Sequence, residues 1–151
     1  MVADQDQNNG TALGLLPSLL GYHLRRAQIA VFQHFTQSMA DADITPGQFG
    51  VLTVIEANPG LSQTQLGQAL GIDRSSIVGV IDRLEQRGLV IRAPSPLDRR
   101  SHALRLSPEG ASLTRELVLK VRAHERDIAQ ALSEEERRLL LDLLKRVGRV
   151  P

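Results

Sequence analysis

The chain of 151 residues contains no cysteine, which excludes disulfides, thiolate zinc sites and thiol-based peroxide sensing. No apolar run approaches the ~20 residues that a membrane-spanning helix needs. The first ten residues are polar and acidic, unlike a signal or transit peptide. A cytoplasmic protein with a fraying tail over residues 1–10 is therefore expected. There is no Gly-rich phosphate loop, no activated-nucleophile motif and no framework-held pair of carboxylates. Enzyme chemistry and a bound cofactor are accordingly not expected. His23, His34, His102 and His124 are scattered without ligand-like spacing, so no metal site is expected either. Internal repeats and low-complexity segments are also missing.

What remains is an ordinary globular composition, 42% hydrophobic and 23% charged, long enough for one proper core. The net charge is only +1, but its distribution is uneven. Residues 1–70 hold two Arg against five acids, residues 71–107 seven Arg against four, and residues 108–151 nine basic residues against eight acids. Sixteen of the eighteen basic residues are Arg, the side chain suited to bidentate contacts and narrow grooves. The positive surplus sits in the middle of the chain, a distribution that matters more than the sum.

Apolar residues at three- and four-residue steps, from Leu13 and Leu16 through Leu20, Leu24, Ala27 and Val31 to Phe35, predict a first helix from about Thr11 to Ala40. Pro17 is the alternative point for its regular start. A second apolar row (Leu15, Leu19, Ile29, Phe32, Met39) widens its stripe beyond one packing partner. Thr45-Pro46-Gly47-Gln48 is a capping box that opens a helix stopped by Asn58-Pro59-Gly60. Ser107-Pro108 caps a long helix to about Ala131, and Ser133 with Glu134 to Glu136 starts a last one rich in leucine. The terminal helices are too apolar to be solvated alone and must bury against each other or against a second chain, of which a homodimer is the better reading. The expected organisation is a helical dimerisation domain from residues 11–40 and 108–151 around a central domain at 41–107.

That central domain reads as a winged helix-turn-helix, mainly α with one small β-hairpin. Ser62-Gln63-Thr64-Gln65 caps a short helix ending at Leu70, Gly71-Ile72 makes the turn, and Asp73 caps a second helix to Arg87. Alternating segments at Leu89–Ala93 and His102–Leu106 flank a tip from Pro94 to Arg100. This order of parts lays side chains along duplex DNA. With Ile77, Val80, Ile81 and Leu84 turned inward, the second helix offers Arg74, Ser75, Ser76, Val78 and Arg83 to the DNA. Arg74 suits guanine O6 and N7, the serines suit bases or phosphates, and Val78 suits a thymine methyl. At the wing, Arg99 and Arg100 suit a narrow minor groove, with Asp98 holding one guanidinium. Gln63 and Thr64 stand at a helix N-terminus, either as phosphate contacts or as plain capping residues. The rival account is a winged helix that binds protein and never meets DNA.

A polar cluster interrupts the first helix. Arg25 and Arg26 suit a carboxylate or phosphate, and Tyr22 and His23 suit a ring substituent. A surface Arg pair with interhelical hydrogen bonds would account for it equally well.

The chain resembles the MarR-type (multiple-antibiotic-resistance) regulators over nearly its full length. The resemblance rests on Asp98, Arg100, Leu106, Ser107 and Gly110, which fit the pattern Asp-x-Arg-x5-Leu-Ser/Thr-x-x-Gly without a gap. It rests also on Asp73 to Ser76, Asp82 to Val90 and Thr45 to Phe49. It implies a dimer of triangular outline built on the first and last two helices, reading a pseudo-palindromic duplex with the wing Arg, carried onto Arg100 with Arg99 beside it, in the minor groove. It also implies repression relieved by a small, often aromatic, anion bound between the two domains. The Tyr22 to Arg26 block is similar to that of regulators of aromatic-acid breakdown, some of which respond to the coenzyme A thioester. Val78 and Gly79 depart from members with polar or basic residues there.

Overall fold

The computed structural model describes residues 10–96 and 102–148. Six helices and one two-stranded antiparallel sheet follow each other in the order α1 (Leu20–Ser38), α2 (Pro46–Ala57), α3 (Gln63–Leu70), α4 (Arg74–Gln86), β1 (Val90–Pro94), β2 (His102–Leu106), α5 (Pro108–Ile128) and α6 (Glu134–Val147). Three helix starts carry complete capping boxes: Thr45 with Gln48, Ser62 with Gln65 and Ser133 with Glu136. Each box satisfies two backbone donors that the first helical turn would leave unpaired.

The first helix starts later than the periodicity predicts. Gly14 takes a left-handed φ of 56°, Leu16–Ser18 forms a separate 3-10 turn, and Leu19 is extended before α1 begins. Pro17 has no N–H to offer an α-helix, so the apolar periodicity runs on where the helical hydrogen bonds do not. At the far end, α5 stops at Ile128, three residues short of expectation.

The core lies almost wholly within the central segment. Val51, Leu52 and Ile55 of α2, Leu66 of α3, and Ile77, Ile81 and Leu84 of α4 pack with Leu89, Val90 and Leu104 of the hairpin. The terminal helices reach it through Phe35 of α1, Met39 just after it, and Leu113, Leu117 and Val121 of α5. Much of their apolar surface is bare: α6 buries no residue, and Leu19, Leu20, Ile29, Phe32, Leu139, Leu140, Leu143 and Leu144 are all exposed.

Two devices fix the hairpin to the helices. The strands pair from Val90 opposite Leu106 to Pro94 opposite His102, and the segment before α3 adds to the outer edge, Gly60 N donating to Leu104 O and Leu104 N to Leu61 O. At the hairpin's exit, Ser107 Oγ donates to Gly88 O at 2.6 Å and accepts from Gly110 N at 2.9 Å. A Cβ on Gly110 would stand 2.0 Å from Leu89 O, so the start of α5 can lie against the α4–β1 turn only because that residue has no side chain. The loop before α2 is held from two sides. Lys120 of α5 pairs with Asp41, and Arg87 at the end of α4 donates to Asp43 O at 2.6 Å and Ala42 O at 2.9 Å.

Candidate nucleic-acid interface

Gly71 ends α3 at φ 63°, a left-handed conformation that glycine adopts without strain. The chain therefore turns sharply and α4 starts three residues beyond it, at Arg74, with Ile72 N returning to Gly67 O. The result brings the N-termini of α3 and α4 side by side. Ser62, Gln63 and Thr64 from one, Asp73 and Arg74 from the other, and His102 at the root of the wing line a single concave surface of about 760 Å³. Helix N-termini carry unpaired N–H groups and partial positive charge, so two of them in one concavity favour a polyanion.

Asp73 caps α4 through Ser76 N at 3.0 Å, and its carboxylate also takes the Ser75 and Ser76 hydroxyl protons at 2.6 Å each. Those three donors, the hydroxyls first, hold its carboxyl well below the usual carboxylate range. The serines are consequently oriented with their protons spent, and what they present outward is acceptor lone pairs. Such hydroxyls match base amino groups better than phosphates, a distinction that residue type alone does not make.

Arg74, Ser75, Ser76, Thr64 and Arg83 are exposed, whereas Gln63 and Val78 are half-buried. Val78 packs in part against the core. No neighbouring atom would meet a Cβ on Gly79, so that turn of α4 presents bare backbone to open space. Asp98, Arg99 and Arg100 lie outside the described residues.

The residue that sequence reasoning missed is Arg92. It projects from β1 with a side chain only 16% exposed and pairs with Asp82 at 2.6 Å and with Glu85, both of α4. Burial opposes its charge, and the two carboxylates more than offset that, so its pKa is raised. One end of the Gln63 carboxamide lies 2.8 Å from Nε and 3.0 Å from Nη2 of the same guanidinium; because it faces donors only, hydrogen-bond complementarity assigns that end as the oxygen, which then accepts from both. Arg92 thus joins the wing root to both helices of the motif. The signal was present in the Asp82-x-x-Glu85 spacing, which puts two acids on one helical face beside a strand with a lone Arg.

In α1, Arg26 Nη1 donates to Tyr22 Oη at 3.0 Å and the guanidinium lies 5.7 Å from the Tyr22 ring centre. His23 Nε2 is bonded to Pro17 O at 2.8 Å. Tyr22 and Arg26 are therefore together, one helical turn apart, while His23 is tied back to the preceding turn and Arg25 is exposed. Among the described residues no group of three or more His, Asp or Glu is placed to hold a metal ion, and no helix is long and apolar enough to cross a membrane.

Helix, glycine turn, helix and hairpin in this arrangement define a winged helix-turn-helix of the DNA-reading type. The profile of the MarR family matches residues 42–101. A putative transcriptional regulatory protein for the hcr operon of Thauera aromatica is 43% identical over 137 residues, 90% of this chain and 82% of that protein. The chain belongs to the MarR family of transcription regulators. Among solved structures, the transcriptional repressor CouR bound to a 23-mer DNA duplex superposes with a TM-score of 0.87 at 41% identity, covering 92% of this chain and 99% of that one. CouR bound to p-coumaroyl-CoA gives a TM-score of 0.85 at 38% identity, with 91% and 97% covered.

Proposed function

We propose that this regulator is a homodimeric repressor that reads a pseudo-palindromic operator and is released by an aromatic acid or its coenzyme A thioester. The observation that carries the DNA half is the shared concavity of the α3 and α4 N-termini with the wing root beside it. In this reading Arg74, Ser75, Ser76, Val78 and Arg83 face the major groove, Gln63 and Thr64 meet phosphates, and Arg99 and Arg100, with Asp98 orienting them, enter the minor groove.

Residues 41–107 form the reading domain, and residues 11–40 with 108–151 form the dimer domain. The exposed leucines of α1 and α6 support the dimer, because a single chain leaves them in water. Two such domains about one helical turn (~34 Å) apart would read two half-sites.

The effector half rests on Tyr22 and Arg26 standing together in α1, with His23 and Arg25 adjoining, and on CouR having been solved with p-coumaroyl-CoA. A guanidinium over a phenol ring offers one surface to an anion and another to an aromatic group.

Fluorescence anisotropy at fixed salt tests both halves. The protein is titrated onto a labelled duplex from upstream of its own gene and onto a scrambled duplex, because phosphate attraction alone binds both. Preference for the operator supports the DNA reading. Release by an aromatic acid or by its thioester identifies the effector class, and operator binding that neither compound relieves overturns the effector half.

A further inference from the structure

A DNA contact through a glutamine amide has a polarity. The oxygen accepts and the nitrogen donates, and only the nitrogen end is useful against a phosphate. Gln63 stands in the first turn of α3 and lines the concave surface, so the direction of its amide decides whether that position attracts or repels the backbone.

The direction is set by Arg92. Of the five N–H donors on a guanidinium, two face the end of the Gln63 amide that complementarity assigns as the oxygen, at 2.8 and 3.0 Å, and others bond Asp82 and Glu85. The reversed amide would set its NH2 against those donors. Arg92 is itself largely buried and compensated by the two carboxylates, so its charge is spent inside the protein. What it contributes to the surface is orientation.

We infer that Arg92 is a positioning residue for DNA binding: it holds the Gln63 amide oxygen inward and so fixes the Gln63 NH2 as a donor to a DNA phosphate. An unheld glutamine would sample both amide orientations and lose side-chain freedom on binding. Because Arg92 also bridges α3, α4 and β1, the donor is placed in register with the recognition helix and the wing root. The inference rests on the DNA reading above.

The test is a double-mutant cycle in the full-length protein, read as anisotropy on the operator and on a scrambled duplex at fixed salt. Gln63→Ala alone is expected to weaken binding at least about tenfold, the loss of one hydrogen bond to a charged group. The loss should be similar on both duplexes, since phosphate contacts carry no sequence information. In an Arg92→Met background, Gln63→Ala should cost less than about twofold, because the amide is no longer aimed. Arg92→Lys serves as the second background and protects against a folding failure of Arg92→Met. It keeps the charge beside Asp82 and Glu85 but lacks the planar fork that grips the amide oxygen. Thermal unfolding of every variant separates folding from binding.

Equal cost of Gln63→Ala in the wild-type and lysine backgrounds overturns the inference while leaving the DNA reading standing. Failure of the wild type to prefer the operator overturns that reading itself, and the inference with it. A cost confined to the wild-type background, with unfolding midpoints unchanged for Gln63→Ala, establishes the positioning role.

Discussion

The Nδ1 atoms of His34 and His124 stand 2.7 Å apart across the contact between α1 and α5. At that separation one ring must donate and the other accept, so the pair holds a single proton between them. His124 is 3% exposed, packs edge-on against Phe35 and has its pKa lowered, by burial first and by the neighbouring His34 charge second. Glu125 and Asp127 act in the opposite direction and do not overcome these effects. On the α1 side, Ser38 Oγ lies 3.3 Å from His34 Nδ1, and on the α5 side Asp127 is 3.9 Å from His34 Nε2.

A stability profile follows from that lowered pKa. Between the folded and unfolded pKa values of His124 the unfolded chain binds more protons, so stability rises with pH. It is fully present above the ordinary histidine value of about 6.5 and is lost as pH falls from there through the depressed value. Denaturant midpoints at about pH 7.5 and 5.5 check this: the wild type should be weaker at the lower pH. His124→Phe should flatten that difference whatever it does to overall stability. An unchanged wild-type midpoint across the range would contradict the shared-proton account.

Gly110→Ala probes the join between hairpin and α5. The added methyl would sit 2.0 Å from the Leu89 carbonyl, against backbone and not a flexible side chain, so α5 or the α4–β1 turn must move. Such overpacking costs about 3 kcal/mol, and the shift also pulls on the Ser107 bonds to Gly88 and Gly110. Calorimetry at fixed protein concentration, which a dimer requires, should show a fall of several degrees. A midpoint within one degree of wild type would mean that the join is soft.

Local chemistry made most of the fold legible in the sequence. Capping residues and apolar periodicity act over three to seven residues, and Thr45, Ser62, Asp73, Ser107 and Ser133 all cap the helices expected of them. The start of α1 lies beyond both Thr11 and Pro17, because Leu13, Leu16 and Leu20 keep helical spacing across a proline that has no N–H to bond and a Leu19 that is extended. The interface was legible only as a list of exposed residues. Its internal wiring depends on contacts between distant elements, Arg92 with Gln63 and Asp82, of which the sequence carries only the helical spacing of Asp82 and Glu85 and nothing that points to Gln63. The Ser75 and Ser76 hydroxyls show the same limit, since their type permits donation but Asp73 consumes it.

Arg74→Ala separates sequence reading from general DNA attraction. Arg74 is exposed in the first turn of α4 and lines the concavity, where a guanidinium can reach guanine O6 and N7. Its loss should weaken operator binding about ten- to a hundredfold and relax preference at one base pair. Binding to scrambled duplex should change much less, and the unfolding midpoint should not move. Equal losses on both duplexes would reassign Arg74 to the phosphate backbone.

Arg26→Ala tests the effector reading without touching the DNA surface. Arg26 lies in α1, bonded to the Tyr22 hydroxyl at 3.0 Å, and is absent from the concavity that α3, α4 and the wing root share. Removing it takes away a cation suited to a carboxylate or phosphate and leaves the reading helix as it was. Operator affinity without ligand should stay within about twofold of wild type, as for a surface change remote from the contact. The concentration of aromatic acid or thioester needed for release should rise at least about tenfold, the loss of one charge-assisted contact. Tyr22→Phe refines the result, because it keeps the ring under the guanidinium and deletes only the hydroxyl. A release curve unchanged in Arg26→Ala would leave the Tyr22–Arg26 pair as a brace along α1 and move the effector site elsewhere.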